Sequence, residues 1–316
     1  MLNFILRKIG STAIVMMVVA VIVFIMIRVG PGDPAAVIAG EHATTEDLER
    51  IRRSLGLDEP MLYQFLHWVG RLMGGDFGQS LFSRKPVLEL IAGRLEPTLS
   101  LATTTMLFAV CTAIPLGIIA AWQVGRWVDR AVMALATVAF SFPIFIIGYG
   151  LVWGFALKLR WLPVQGFRPL SQGPTLYLTH LVLPSLTLGL VFMALLTRMT
   201  RSTMIEVLGE DYIRTARSKG LSQVPILFKH ALQNAAIPIV TTIGSGIALL
   251  IGGVVVAESV FAIPGIGRLT IEAVTQRDYP VIQGVLLLAS LAYVVINLLV
   301  DLSYGLFDPR IRNMTS

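Results

Sequence analysis

The sequence is short of charge. Asp, Glu, Lys and Arg make up 14% of its 316 residues, against about 25% in an ordinary soluble domain. A soluble protein of this length could not build its polar surface from so few charges. There is one cysteine, Cys111, so no internal disulfide can form. Cys111 sits in an apolar run and reads as a packing residue. None of the lysines follows a glycine, which excludes a Walker phosphate loop. Neither His-Glu-x-x-His nor Gly-x-Ser-x-Gly occurs, and His42, His67, His180 and His230 are scattered. No metal site, zinc-protease helix or hydrolase elbow is therefore written in the sequence.

What is present is apolar: 55% of residues are hydrophobic and the mean hydropathy is +0.76. This is the composition of a polytopic membrane protein. The net charge is +6 with a pI near 9.7, and the five Trp and seven Tyr show no stacking pattern with the basic residues. The excess therefore reads as Lys and Arg held on a cytoplasmic face, with no nucleic acid as partner.

Charge-free runs at 9–27, 97–125, 131–157, 169–197, 230–257 and 279–300 mark six expected spans, each long enough for a hydrocarbon core of about 30 Å. The expected fold class is an all-α polytopic membrane protein of six transmembrane helices. The first run follows Arg7 and Lys8 but has no Ala-x-Ala site behind it, so it reads as an uncleaved span. With a cytoplasmic N-terminus, the inner segments hold Arg7, Lys8, Arg126, Arg130, Arg198, Arg201, Arg214, Arg217, Lys219, Lys229, Arg310 and Arg312. The short outer loops hold Lys158, Arg160, Arg168, Arg268 and Arg277. That imbalance puts both termini inside.

Three segments follow: 1–30, the N-terminal end with the first span; 31–96, an external helical loop; and 97–316, a five-helix core. In the loop, Thr44 or Thr45 caps an expected helix bearing Leu48, Ile51 and Leu55, with Gly56 as its stop. A second, from about Met61 to Leu72, presents Leu62, Phe65, Leu66 and Val69. The loop reads as a folded cap, with or without a part in ligand handling. Ala109, Ala113, Gly117 and Ala121 form one stripe of small residues, and Gly244, Ala248 and Gly252 another. Such stripes let helices approach closely in lipid.

Two other chemistries are disfavoured. Gly30-Pro31-Gly32-Asp33 matches the Gly-x-Gly-Asp of intramembrane aspartyl proteases, but no Tyr-Asp partner occurs for the second carboxylate. Few charges lie within the spans. Glu258 and Asp301 sit at helix ends, and Asn297 is the main polar residue deep in the last span. An ion-coupled carrier usually keeps ionisable groups at mid-membrane.

The inner loop 198–230 carries the most information. A helix is expected from Glu210 or Asp211 to Lys219, with acids at its start and a lysine at its end. Gly220 stops it with a left-handed turn. Ser222 caps the next helix, whose first turn holds Pro225. A short helix, a sharp turn and a second helix form a rigid knob suited to docking.

At these residues the chain resembles the permease subunits of bacterial ABC importers for dipeptides and oligopeptides, in their B-type branch. The stretch from Asp211 to Leu221 is similar to that family's "EAA" loop. Ala216 and Gly220 match the pattern, Arg214 stands where the general pattern has Glu, and His230-Ala231-Leu232-Gln233-Asn234 replaces its later Ile-x-Leu-Pro. The resemblance continues through Pro31-Gly32-Asp33-Pro34, Leu55-Gly56-Leu57-Asp58-Glu59-Pro60 and Gly75-Asp76-Phe77-Gly78-Gln79-Ser80. It includes Glu96-Pro97-Thr98-Leu99, the stretch Glu258 to Gly267, and Arg277-Asp278-Tyr279-Pro280.

The resemblance implies the type I ABC importer permease fold in a bacterial cytoplasmic (inner) membrane. It implies a heterodimer with a second permease, two ATPase subunits that use ATP and Mg, and an extracytoplasmic solute-binding protein. No cofactor is implied for this chain, and no catalysis. Glu210, Asp211, Tyr212, Arg214, Thr215, Ala216, Lys219, Gly220, Leu221, His230 and Asn234 are the expected ATPase-coupling residues. Glu258, Phe261, Pro264 and Gly265 are candidates for an outer gate, or for a plain join between two helices; a basic group on a partner is a candidate mate for Glu258. Peptides are the expected substrate, with glutathione, nickel chelates and oligosaccharides as alternatives within the family. Substrate-lining residues are not readable from the sequence.

Overall fold

The computed structural model describes residues 2–29 and 58–307, together with 44–46 and 49. Among these residues the architecture is all-helical, with a single antiparallel bridge between Gln79 and Pro86. In chain order the helices are α1 (Leu2–Val29), α2 (Met61–Met73), α3 (Val87–Trp122), α4 (Trp127–Ser141), α5 (Ile144–Leu151) and α6 (Pro174–Leu208). They continue with α7 (Asp211–Ser218), α8 (Leu232–Val260), α9 (Ile266–Gln276) and α10 (Tyr279–Phe307). All six apolar runs fall on helices. Among the described residues, α3, α6 and the 279–302 part of α10 are long and apolar enough to cross a membrane, and α4 with the helix after it would make a fourth crossing.

That fourth crossing is not the continuous helix expected over 131–157. The chain bends by 102° between Ser141 and Ile144. Phe142 is extended, at φ −87° and ψ 136°, a conformation that the ring of Pro143 favours by crowding the helical one for the residue before it. Beyond the bend, α5 widens into a π turn over Val152–Lys158.

The chain divides into two compact units. One holds Glu96–Gly267 and the chain from Val295 onward; the other holds Leu2–Leu95 and Arg268–Val294. In the first, α6 and α8 form the centre. One buried cluster gathers Leu101, Leu181, Leu183, Leu188, Leu250, Val254, Phe261 and Ile263. The small stripe of α3 is buried: Ala109 and Ala113 are fully covered. A Cβ on Gly117 would lie 2.6 Å from Thr200 Cβ on α6, so glycine there permits close helix approach. Gly244 packs likewise against Val300; the side chains at 248 and 252 lie outside the described residues. Cys111 is exposed, not packed. Two residues along a helix is about 200° of rotation, which turns Cys111 away from the buried stripe.

In the second unit, α2 confirms the expected helix and half of its expected face, Phe65 and Val69 being partly buried. Phe65 and Trp68 meet Phe24 of α1, with ring centroids 5.2 and 5.6 Å away. Leu62 and Leu66 are exposed. The expected helix before it, with Leu48, Ile51, Leu55 and Gly56, lies almost wholly outside the described residues, as does Asp33.

Candidate functional site

The helix α7 starts where Glu210 adopts an extended backbone, φ −70° and ψ 149°. Asp211 lies in its first turn, where the helix dipole favours a negative charge, and pairs with Arg214 at 3.2 Å. Both side chains are largely exposed, so the pair adds little to stability. The Thr215 hydroxyl donates back to the Asp211 carbonyl at 3.0 Å.

The end of α7 is closed by two backbone bonds. Gly220 N–H donates to Arg217 O at 2.9 Å, and Leu221 N–H donates to Ala216 O at 3.3 Å. These are the paired bonds of a Schellman cap. The cap needs a left-handed residue between them, and Gly220 has φ +82°. The expected turn is present with the expected glycine. Nothing lies within 4 Å of a Cβ placed there, so glycine serves backbone conformation alone. Ser222 occupies the next N-cap position with φ −70° and ψ 161°, but makes no side-chain cap bond. A short turn at Gln223–Pro225 and a π turn over Ile226–Ala231 lead into α8. There the Asn234 amide donates to the His230 carbonyl at 2.7 Å.

What anchors this knob is a residue absent from the expected set. Ile213 is fully buried in α7. It packs in one cluster with Met204 of α6, Ile226, Leu227, Ala231 and Ala235, and with Ala113, Ile118 and Ala121 of α3. Ala216 lies partly buried against that cluster. Its sequence signal is an apolar residue three positions before Ala216 in an otherwise polar helix. The opposite face is open: Asp211, Tyr212, Arg214, Thr215, Lys219 and Leu221 are exposed, with Val224 and Phe228 beside them. Partial burial raises the Tyr212 phenol pKa above its ordinary range, Glu210 adds to the rise, and Asn234 opposes it. A helix with a buried apolar root and an exposed face of mixed charged and apolar residues is suited to docking a protein partner.

The residues 258–267 are arranged differently. Glu258 is fully buried. The Thr98 hydroxyl donates to its carboxylate at 2.6 Å and accepts from Ile266 N–H at 2.8 Å. Thr98 thus caps α9 while holding the carboxylate. A Cβ on Gly265 would overlap that carboxylate. Phe261 is buried, its carbonyl accepts from Gly166 N–H at 2.8 Å, and Pro264 is exposed. Burial within its own chain removes Glu258 from pairing with a basic group on a partner. The segment is also not a turn alone, since α9 occupies Ile266–Gln276.

The Glu96-Pro97-Thr98 and Glu258–Gly267 motifs are therefore halves of one structure. The same holds for Gly75–Ser80 and Arg277–Pro280, which are joined by Ser80 and Asp278 at 2.6 Å. Sequence reading found the four motifs without their pairing. Among the described residues, no three His, Cys, Asp or Glu side chains gather to hold a metal ion.

Comparison with known families decides the class. The family described as binding-protein-dependent transport system inner membrane component matches residues 113–313, and its N-terminal counterpart matches 1–102. The chain belongs to this family of importer permeases. A relative from Sinorhizobium fredii, named probable peptide ABC transporter permease protein y4tP, is 50% identical over 98% of this chain and 99% of its own. The glutathione transport system permease protein GsiC of Escherichia coli K12 is 44% identical over 99% of both chains. A chain of the MetNI methionine ABC transporter structure shares the fold, with TM-score 0.57 and 17% identity over 70% of this permease and 97% of that chain. The expected family is the one found, and the permease is a multi-pass membrane protein.

Proposed function

We propose that this permease is one transmembrane half of an ATP-driven importer of small peptides, worked through the knob at residues 210–229. The observation that carries the reading is α7 itself. It is rooted by Ile213 in a core shared with the ends of α3 and α6 and presents an open face beyond it. A partner that grips the open face moves two long helices through that root.

In this reading all six apolar runs cross the membrane, with both termini cytoplasmic, 31–96 as an external helical loop and 97–316 as the five-helix core. A second permease completes the pathway. Two ATPase subunits bind ATP and Mg and take the inner segment 198–230, which begins in the end of α6, with Glu210, Asp211, Tyr212, Arg214, Thr215, Lys219, Gly220 and Leu221 at the joint. Ala216, His230 and Asn234 support it from behind. ATPase closure turns the pathway outward, an extracytoplasmic binding protein delivers its peptide, and hydrolysis resets the pair. Glu258, Phe261, Pro264 and Gly265 brace the outer mouth.

Peptides are the favoured cargo because the relative y4tP carries that name at 50% identity. Glutathione, itself a tripeptide, is the second reading, supported by the name of GsiC. The test is uptake into proteoliposomes carrying the native complex and its binding protein. ATP-dependent accumulation of labelled dipeptide, displaced by excess peptide and not by glutathione, is expected. Displacement by glutathione alone would transfer the assignment to the second reading. Accumulation without ATP or partners would point to an autonomous carrier.

A further inference from the structure

Outside the knob, a buried charged pair joins α4 to α6. Asp129 stands in the first turn of α4 and is 3% exposed. Arg201 grips it with two bonds, Nε to Oδ1 at 2.5 Å and Nη2 to Oδ2 at 2.8 Å. The same carboxylate accepts Gly125 N–H at 2.9 Å. The Asp129 carboxylate thus gathers three donors, two of them from the planar guanidinium fork that makes an Arg–carboxylate pair directional. Its helix N-terminus further favours the negative charge.

The pair's location gives it a mechanical meaning. Arg201 lies in the same helix as Met204, which shares the buried cluster with Ile213 of the knob. Asp129 begins the helix that runs to the bend at Phe142 and Pro143. Close by, Arg198 lies over the Phe140 ring at 5.0 Å and reaches the Ala136 carbonyl at 3.4 Å. Ala194 packs with Ala136 and Ala139. Two arginines of α6, Arg198 and Arg201, thus attach α4 to α6, where the sequence alone counted them as inner-face charge.

We propose that Asp129 and Arg201 are positioning residues that make α4 travel with α6, so that displacement of the knob reaches the bent helix pair. This rests on the importer reading above. Cutting the clamp leaves the knob on its root, and the ATPase partners keep their grip. What is lost is delivery of the stroke to α4 and α5. Hydrolysis then runs without a matching conformational change.

The experiment measures ATP hydrolysed per peptide imported by the full complex in proteoliposomes, normalised to the amount of assembled complex. Asp129→Asn and Arg201→Ala should each raise that ratio by about tenfold, within the range usual for coupling between sites. Arg201→Lys, which keeps the charge without the two-pronged geometry, should raise it less. The exchanged pair Asp129→Arg with Arg201→Asp should recover much of the coupling. Equal losses of uptake and hydrolysis, or an unchanged ratio, would overturn the proposal. Should the variants not assemble, the unmodified pair is tested by spin labels at Leu135→Cys and Met199→Cys in a Cys111→Ser background. Both positions are exposed. Their separation should stay constant between nucleotide-free and nucleotide-trapped complexes, and a change would overturn the clamp. Failure of the unsubstituted complex to couple ATP to uptake would count against the importer reading instead.

Discussion

Ser80 and Asp278 are separated by 198 positions and joined by a 2.6 Å hydrogen bond in which the serine hydroxyl donates to the carboxylate. Leu81 N–H donates to the other carboxylate oxygen at 3.2 Å. Both residues are buried. Ser80 Oγ also accepts from Ser83 N–H at 3.0 Å, so the bond organises a whole turn. Ser80→Ala should lower stability by about 1.5–3 kcal/mol, since a buried carboxylate loses a donor. A thermal unfolding series in detergent checks this. Ser80→Thr, which keeps the hydroxyl, should recover part of the loss.

Gly220 carries a different burden, since its φ of +82° disfavours any side chain while the space around it is open. Gly220→Val should introduce about 1–2 kcal/mol of local strain and abolish uptake with normal membrane insertion. Gly220→Asn, which tolerates the left-handed region better, should retain more uptake than Gly220→Val. Transport assays on matched amounts of inserted protein distinguish the two. Equal activity of Gly220→Val and the unsubstituted chain would remove the turn from the mechanism.

Gly265 is the converse case. A Cβ there overlaps the Glu258 carboxylate, which the Thr98 bond holds in place. Gly265→Ala should therefore destabilise by about 1–3 kcal/mol through overpacking. Gly70→Ala in α2 meets nothing within 4 Å and should be neutral or slightly stabilising, because alanine suits a helix interior better. Parallel unfolding measurements on the two variants test the contrast.

Burial and the Glu210 charge raise the Tyr212 phenol pKa, which defines a sign for its pH dependence. A group raised in the folded state contributes its full stability below its unfolded value and loses it as pH rises through the folded value. The contribution should be intact below about pH 10 and fall above it. An ultraviolet difference titration should place Tyr212 higher than a fully solvated tyrosine, and Tyr212→Phe should remove that component.

Much of the knob was legible because its signals are local. Acids at the start of α7, Lys219 at its end and Gly220 beyond it specify a helix and its stop within eleven residues. The stripe on α3 was legible for the same reason, since Ala109, Ala113, Gly117 and Ala121 share one helical face. Partnership across the chain was not. Nothing near Asp129 announces Arg201, and nothing near Thr98 announces Glu258, because such bonds depend on helices brought together by apolar packing. The break at Phe142 was signalled by Pro143 but hidden by the unbroken apolar run around it. Cys111 was misread because an apolar neighbourhood means burial in water, while in a membrane it also describes an outward face.

If the open face of α7 is the joint with an ATPase, a crosslinker placed on that face reaches one. A photoreactive amino acid placed at Thr215, exposed on that face, tests it in the native membrane. Irradiation followed by mass spectrometry of the adduct should identify an ATP-hydrolysing subunit, and the same probe at exposed Leu135 of α4 should not. An adduct with lipid alone at position 215, in a preparation where ATPases co-purify with the chain, would contradict the account.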